Sequence, residues 1–197
     1  MTKRILDIIG SILGLLIIAP FSPFIILAIK LESKGSAIIG LDRVSQGKII
    51  KLYKFRTMIE NAPAIEKASL LHLNERKDGP FFKISKNPCI TKTGRFLRKF
   101  RIDEFPQLIN VLKNELTLVG PRPHKPEEVI HYPESYQHLI LAKTGVTGLS
   151  QVSGSSSLPF LKELELDSYY LKNQSLWLDL KTITKTLLIL FFDPTAV

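Results

Sequence analysis

Two adjacent carboxylates in the middle of the chain, Asp103 and Glu104, are of the residue type that supplies nucleophiles in phosphoryl chemistry. Four cationic side chains closely precede them, namely Arg95, Arg98, Lys99 and Arg101. We interpret Asp103 as the N-cap of a helix with Pro106 in its first turn, so the helix dipole and the cations would keep this carboxylate ionised. The N–H groups of that first turn would bind an anion. The stretch therefore predicts a nucleophile beside a phosphate site, although a helix cap next to a solvated basic face explains it as well.

A second candidate cation, Arg122, lies on a segment that the sequence makes rigid. It stands between Pro121 and Pro123, whose fixed φ angles leave the loop little freedom. An arginine held so stiffly suits a bidentate phosphate contact, because little entropy is left to lose on binding. A surface turn with an incidental arginine is the alternative.

Lys54 and Arg56 are placed by a predicted β-hairpin. Strands are expected at residues 37–41 and 49–55, because apolar and cationic side chains alternate in the second of them. Residues 45–47 (SQG) are suited to the turn. The hairpin would bring both cations to one edge of the fold.

Composition limits the classes of function. The chain has 197 residues, enough for one sizeable core, and a net charge of +9, which favours an anionic partner. The single Cys89 excludes an internal disulfide. The four histidines are scattered along the chain and do not form a zinc-binding pattern with cysteines. A nucleic-acid-binding module is disfavoured, because no aromatic stacking surface accompanies the basic residues.

The N-terminal segment is apolar enough to enter a membrane. Its apolar run extends over residues 8–29 and is interrupted by Pro20 and Pro23. Basic residues flank it on both sides, with Lys3 and Arg4 before it and Lys30 and Lys34 after it. A cleaved signal peptide is disfavoured because no small-residue cleavage site follows. A spanning helix and a re-entrant hairpin remain, and the prolines favour a hairpin that breaks at Ser22 and Pro23 with both ends on the cytoplasmic side. Residues 1–32 would form this membrane element and residues 33–197 a cytoplasmic domain.

The other segments predict an α+β fold that is mainly helical. Residues 59–80 suggest a helix and then a loop, 124–143 an interrupted helix, and 160–173 a helix that carries Asp167. Residues 144–154 predict a Gly/Ser/Thr loop without the spacing of a known phosphate-binding motif. The last helix, 175–192, is either an amphipathic helix in the membrane interface or part of the core.

Taken together, these motifs resemble the monotopic phosphoglycosyl transferases, bacterial sugar transferases that start glycan assembly on a polyprenyl phosphate carrier. The resemblance covers nearly the whole chain. Its blocks occur in order at residues 53–58 (YKFRTM), 94–98 (GRFLR), 103–108 (DEFPQL), 118–123 (LVGPRP), 145–148 (GVTG) and 166–170 (LDSYY). The chain would be a minimal form, without the membrane helices that precede this module in larger relatives.

The resemblance implies a reaction and its location. Asp103 would attack the sugar-bearing phosphate of a nucleotide sugar, usually UDP-linked, and polyprenyl phosphate would then take the phosphosugar from the aspartate. Glu104 would complete the dyad, and Mg²⁺ held through Asp103 would offset the diphosphate charge. The expected substrate-binding residues are Lys54, Arg56, Arg95, Arg98, Arg122 and Asp167. The enzyme would lie on the cytoplasmic face of the bacterial inner membrane, with the bilayer as a partner, and a homo-oligomer stays open.

This sequence also departs from the family pattern at the loop expected to face the nucleotide sugar. Thr144 replaces a proline and Ser155 an arginine, which affects the choice of sugar or nucleotide more than the dyad. These departures motivate the alternative of a catalytically inactive, membrane-tethered relative that acts as an assembly partner.

Overall fold

The computed structural model describes residues 2–76, 78–84, 86–154 and 157–192 of the chain. The fold is α+β, as predicted, with helices around two small sheets. The helices are α1 Thr2–Ile18, α2 Ser22–Glu32, α3 Ala62–Ile65, α4 Lys92–Lys99, α5 Gln107–Leu112, α6 Pro126–Val129, α7 Leu149–Val152, α8 Phe160–Lys172 and α9 Leu176–Phe192. The strands are β1 Ile38–Ser45, β2 Lys48–Phe55, β3 Thr117–Val119 and β4 Gly145–Thr147.

Short irregular turns complete the backbone. α3 continues into a π turn, Glu66–Leu70, and a 3₁₀ turn, Leu71–Leu73, which together match the helix expected within residues 59–80. Two further 3₁₀ segments are Ile102–Glu104 and Glu134–Leu141. The Ser155 departure lies outside the described residues.

Helices α1 and α2 form a bent pair with an angle of 64° between them. The bend is where the prolines predict it: Pro23 lies in the first turn of α2, and the Ser22 hydroxyl donates to the Ile18 carbonyl at 2.9 Å. The same carbonyl accepts from the Phe21 N–H at 3.1 Å, so it has two donors at the point where the helical pattern is interrupted. No single helix of the described residues is long and apolar enough to cross a membrane, whereas α1 and α2 taken together have the length and composition of a broken span or a re-entrant loop.

Helix α1 packs on the rest of the fold through its polar residues. The buried Asp7 accepts from the Leu118 N–H at 2.8 Å and from the Thr117 hydroxyl, and Lys3 pairs with Asp179 at 2.8 Å. Most of its apolar side chains are exposed, with Leu16 at 65%, whereas Ile18 at its C-terminal end is buried in the core. The helix pair is packed on residues beyond the predicted boundary at residue 32, and that boundary stays a prediction.

Helix α9 has the same inverted arrangement. Asp179 and Thr182 are buried, and Asp179 accepts from the Tyr170 hydroxyl at 2.6 Å, while Trp177 is 77% and Leu188 54% exposed. The apolar side chains on this side of α9 are therefore exposed, and a position in the membrane interface stays a prediction.

The predicted hairpin is confirmed. Strands β1 and β2 pair antiparallel from Ile38↔Phe55 to Ser45↔Lys48, so the first strand is longer than the expected 37–41. Gln46 and Gly47 both have positive φ, as a two-residue type I′ hairpin turn requires.

A second sheet was not predicted. β3 and β4 pair in parallel, with Val119 opposite Thr147, in a region that the sequence analysis treated as loop. Three-residue strands are too short to show an alternating pattern. The two strands approach closely, because a Cβ on Gly145 would lie 2.2 Å from the backbone nitrogen of Gly120.

Helix α4 packs directly on the chain that follows β2. A Cβ on Gly94 would lie 2.0 Å from the carbonyl oxygen of Thr57, and one turn later Arg98 donates to the Thr57 hydroxyl at 2.9 Å. Leu97 joins a core cluster that links the helix pair to the hairpin; its other buried members are Ile18, Ile29, Ala37 and Phe55. Gly94 therefore permits the close approach that fixes Arg98.

We expect Gly94→Ala to lower the free energy of unfolding by about 3 kcal/mol or more, because the added methyl group meets backbone and cannot be relieved by a rotamer change. Chemical unfolding in detergent measures this. The control is Lys92→Ala, exposed on the same helix, for which a change within about 0.5 kcal/mol is expected. Equal stability of the two variants would contradict the close packing.

Candidate active site

The carboxylate pair lies on a 3₁₀ turn and not at the start of a helix. Asp103 is the middle residue of Ile102–Glu104, and α5 begins only at Gln107, so the prediction of Asp103 as an N-cap is wrong. The N–H groups of Glu104 and Phe105 donate to the carbonyls of Arg101 and Ile102. These two N–H groups are therefore engaged within the turn, because a 3₁₀ turn bonds its amides three residues back.

Lys54 joins the two carboxylates. Its Nζ lies 2.6 Å from Oε1 of Glu104 and 3.6 Å from Oδ2 of Asp103. It reaches them from the end of β2, which packs against the 3₁₀ turn. Asp103 is 6% exposed, so its carboxylate sits in a largely dry site beside one ammonium group. The hairpin thus places Lys54, one of the two cations predicted at its edge, beside the carboxylate pair.

The two carboxyl groups have opposite pKa shifts. Burial raises the pKa of Asp103 and the charge of Glu104 adds to this rise, against the opposing effects of Lys54 and Arg98. Burial also acts to raise the pKa of Glu104, but the ion pair with Lys54 outweighs it and the pKa is lowered. Burial therefore affects the pKa of Asp103 more than the nearby cations do, and ionisation of Asp103 at neutral pH stays a prediction. In a pair shifted apart in this way, one carboxyl group ionises more readily than usual and the other keeps its proton more readily.

Arg122 is held at its backbone and at its side chain. Its N–H donates to Oδ2 of Asp167 at 2.9 Å, and its Nη1 lies 3.4 Å from Oε1 of Glu163. Asp167 also accepts from the Ser150 hydroxyl at 2.7 Å. The charge of Arg122 helps to lower the pKa of Glu104, which places Arg122 within electrostatic reach of the dyad. Asp167 is 2% exposed, so its contacts position Arg122.

The remaining predicted cations lie in different places. Arg98 acts on Asp103 and is oriented by Thr57. Arg95 is exposed on α4, one turn before Arg98. The Arg56 guanidinium is buried and donates to the carbonyls of Ser33 and Lys34, where the chain leaves α2. Arg56 therefore ties the bent helix pair to the hairpin instead of facing the dyad.

A buried ionic cluster behind Arg122 was missed in the sequence. The cluster centres on Glu163, whose carboxylate lies 3.5 Å from His124 Nε2 and 3.8 Å from Arg76 Nη1. Burial acts to raise the pKa of Glu163, but His124 and Arg122 outweigh it and lower the pKa. The available signal was the spacing of Glu163 and Asp167, which places both carboxylates on one face of α8.

The dyad suits a hard divalent cation that is shared with a substrate. Among the residues that the structure describes, no three His, Cys, Asp or Glu side chains converge on one point. Mg²⁺ commonly takes one or two protein carboxylates and completes its shell with water and substrate phosphates. Asp103 and Glu104 can supply such carboxylate ligands.

Asp167 should make stability depend on pH. Burial raises its pKa from an ordinary 3.8 to about 6, so between these values the folded chain binds more protons than the unfolded chain. The contribution of Asp167 to stability is therefore full at low pH and falls by roughly 3 kcal/mol as pH rises through this window. In Asp167→Asn the amide oxygen still accepts from Arg122, and we expect that part of the slope to disappear.

Urea unfolding of both proteins at several pH values between about 4 and 7 tests this. Asp42→Asn, which changes a half-exposed carboxylate paired with Lys51, is the matched control and should keep the parental slope. Identical slopes for the parent and Asp167→Asn would show that Asp167 does not hold the extra proton.

Comparison with known proteins supplies a family for the chain. Residues 1–193 match the sequence profile of a family described as bacterial sugar transferase. A galactosyl transferase, CpsE, of Streptococcus agalactiae is 40% identical over 98% of the chain and 43% of its own length. An undecaprenyl-phosphate galactose phosphotransferase of Salmonella typhimurium is 39% identical over 93% and 39%.

An exopolysaccharide production protein, ExoY, of Sinorhizobium fredii is 31% identical over 94% of the chain, and the match takes in 84% of its length. The chain thus spans about two fifths of the first two relatives and most of the third. The match with all three includes the residues of the candidate site.

Proposed function

The chain belongs to the bacterial sugar transferase family, and on that premise we propose that it transfers a sugar phosphate from a nucleotide-linked sugar to polyprenyl phosphate. The observation that carries this proposal is the arrangement of Lys54 between a buried Asp103 and an ionised Glu104. The relatives named as phosphotransferases of galactose or glucose on undecaprenyl phosphate support the same reaction class.

In the first step, an Oδ atom of Asp103 attacks the sugar-bearing phosphorus of the donor. A P–O bond forms to the aspartate, the P–O bond to the nucleoside monophosphate breaks, and the leaving phosphate takes the electron pair. A basic carboxylate is the better nucleophile, which is what the raised pKa of Asp103 supplies once the group is ionised. Lys54 and Arg98 offset the charge that approaches the buried carboxylate.

In the second step, a phosphate oxygen of the acceptor attacks the same phosphorus. The new P–O bond makes the diphosphate-linked sugar, and the aspartate carboxylate leaves. Because Asp103 holds the phosphosugar as an acyl phosphate between the steps, a water-soluble donor and a membrane-bound acceptor can react in turn. Glu104, kept charged by Lys54, would keep the dyad anionic throughout and help to hold the metal.

Mg²⁺ bound by the dyad would neutralise the diphosphate of the donor. Arg122, which Asp167 and Glu163 orient, is the residue we assign to a donor phosphate. We further propose that the donor nucleotide is uridine diphosphate. The product would start the assembly of an exopolysaccharide or a similar glycan.

We also infer a monotopic position at the membrane. The inverted helices α1 and α9 and the bend at Ser22 support it, because apolar side chains on their outer faces require an apolar surrounding. The dyad would then lie near the headgroup plane on the cytoplasmic face.

The experiment that tests the function is release of UMP from a panel of UDP-sugars by the purified protein in detergent, with Mg²⁺ and polyprenyl phosphate. A second reaction without acceptor should release about one UMP per active site, because the first step stops at the covalent intermediate. Failure of every donor to release UMP would count for the alternative of an inactive assembly partner.

A further inference from the structure

An apolar groove of about 610 Å³ lies between helices α1 and α9, and Glu104 of the dyad is among its lining residues. Its walls include Ile5 and Ile9 from α1 and Ile183 and Leu187 from α9. Its floor is formed by the small second sheet, through Leu118 and Val146. Three separate parts of the chain therefore build one apolar channel.

Charged groups lie together at one place on the wall of this groove. Glu104 and Arg101 both line it, next to Phe105 and Leu108. Arg101 has a φ of +51°, a left-handed conformation that costs a non-glycine residue about 1 kcal/mol or more and concentrates at functional sites. Its guanidinium charge acts on Glu104. The groove thus combines apolar walls with a cation, Arg101, that lies beside the reacting carboxylates.

From this arrangement we propose that the groove binds the apolar chain of the acceptor and that Arg101 holds the acceptor's phosphate; this inference rests on the proposed function for the identity of the acceptor. The ligand class is a long-chain isoprenoid phosphate. The head lies at Arg101, within reach of a phosphosugar on Asp103, and the tail follows the channel between α1 and α9.

The apolar walls of the groove favour an isoprenoid phosphate over the nucleotide sugar as its ligand. A nucleotide sugar is polar throughout and has nothing that fills an apolar channel, whereas the second substrate must bring its phosphate to the phosphorus held on Asp103. An ordinary phospholipid could place an acyl chain in the channel. Binding of a phospholipid would not need a cation such as Arg101 next to the dyad, because the phosphate of that lipid takes no part in the reaction.

The test uses two α9 variants that add the same bulk at different faces. Ile183→Trp narrows the groove, and Leu188→Trp, on the exposed face and not part of the groove lining, is its matched control. We expect Ile183→Trp to raise the KM for the long-chain acceptor about tenfold and to leave UMP release without acceptor unchanged. Leu188→Trp should match the parent in both assays.

The headgroup is tested with Arg101→Gln and with acceptors of different chain length. Arg101→Gln should raise the KM for long-chain and short-chain isoprenoid phosphates alike, by about tenfold, whereas Ile183→Trp should affect the long-chain acceptor more. Equal KM values for the Ile183→Trp and Leu188→Trp variants, or an equal loss of acceptor-free UMP release in both, would overturn the proposal.

Direct binding separates this inference from the proposed function. A photoreactive polyprenyl phosphate should crosslink to α1 and α9 in the parent, and excess polyprenyl phosphate should compete where excess phosphatidylglycerol does not. Crosslinking in the groove by a protein that releases no UMP would support the site and refute the function. Equal competition by the phospholipid would mean that the groove holds membrane lipid, and the inference would fail.

Discussion

Asp103→Asn is expected to abolish UMP release both with and without acceptor, by a factor of at least ~10³ in kcat. The amide keeps the size of the carboxylate but has no charged oxygen that can attack phosphorus. No phosphosugar-enzyme should form, and mass spectrometry of the protein after incubation with donor alone would measure that directly. The parent should gain the mass of one sugar phosphate under the same conditions.

Asp42→Asn is the control for Asp103→Asn, because it makes the same chemical change at a half-exposed carboxylate on β1. Its activity should equal that of the parent. Glu104→Gln tests the other member of the dyad and should reduce turnover while still forming some covalent intermediate. A covalent adduct in Asp103→Asn, or one mapped to Glu104 in the parent, would assign the nucleophile elsewhere.

Lys54→Met should have the next largest effect. Removing the ammonium leaves Asp103 and Glu104 adjacent without their shared partner, and a lost opposite charge raises the pKa of a carboxyl group. Activity requires ionised Asp103, so it rises with pH through the apparent pKa of the dyad. The acid limb of the pH–rate profile should therefore move upward by about one to two pH units, which lowers the rate about 10- to 100-fold at pH values on that limb.

The pH–rate profile of acceptor-free UMP release measures this shift. Lys51→Met is the matched control on the same strand, since Lys51 pairs with Asp42 on the other face of the hairpin and should leave the profile unchanged. A lower rate at every pH with an unmoved acid limb would mean that Lys54 binds substrate without tuning the dyad.

Local patterns in the sequence were sufficient to predict several features of the protein. Two prolines three residues apart cannot both continue a helix, so the bend before Pro23 followed from backbone chemistry alone. The hairpin followed from alternating side chains and a Gln46-Gly47 turn that accepts positive φ. The nucleophile candidate followed from the residue types at Asp103 and Glu104.

Other features depended on contacts between distant parts of the chain. The parallel pairing of β3 with β4 joins segments too short to show a period. The sequence also did not show which side of α1 and of α9 is buried, because the same apolar pattern fits packing in a core or contact with a membrane. The structure shows that Asp7 and Asp179 are on the buried sides. Arg56 illustrates the same limit, since its partners at Ser33 and Lys34 are backbone carbonyls that no motif marks.

The sequence by itself determined which groups are available for chemistry: a carboxylate pair, a set of cations and an apolar bent segment. Tertiary structure alone decided their roles. It buried Asp103, placed Lys54 between the carboxylates and aligned α1 with α9 to form the groove. The physical reason is that residue type sets the charge a group can carry, whereas burial and the distances between charges set its pKa and its partners, and both arise only when the chain folds.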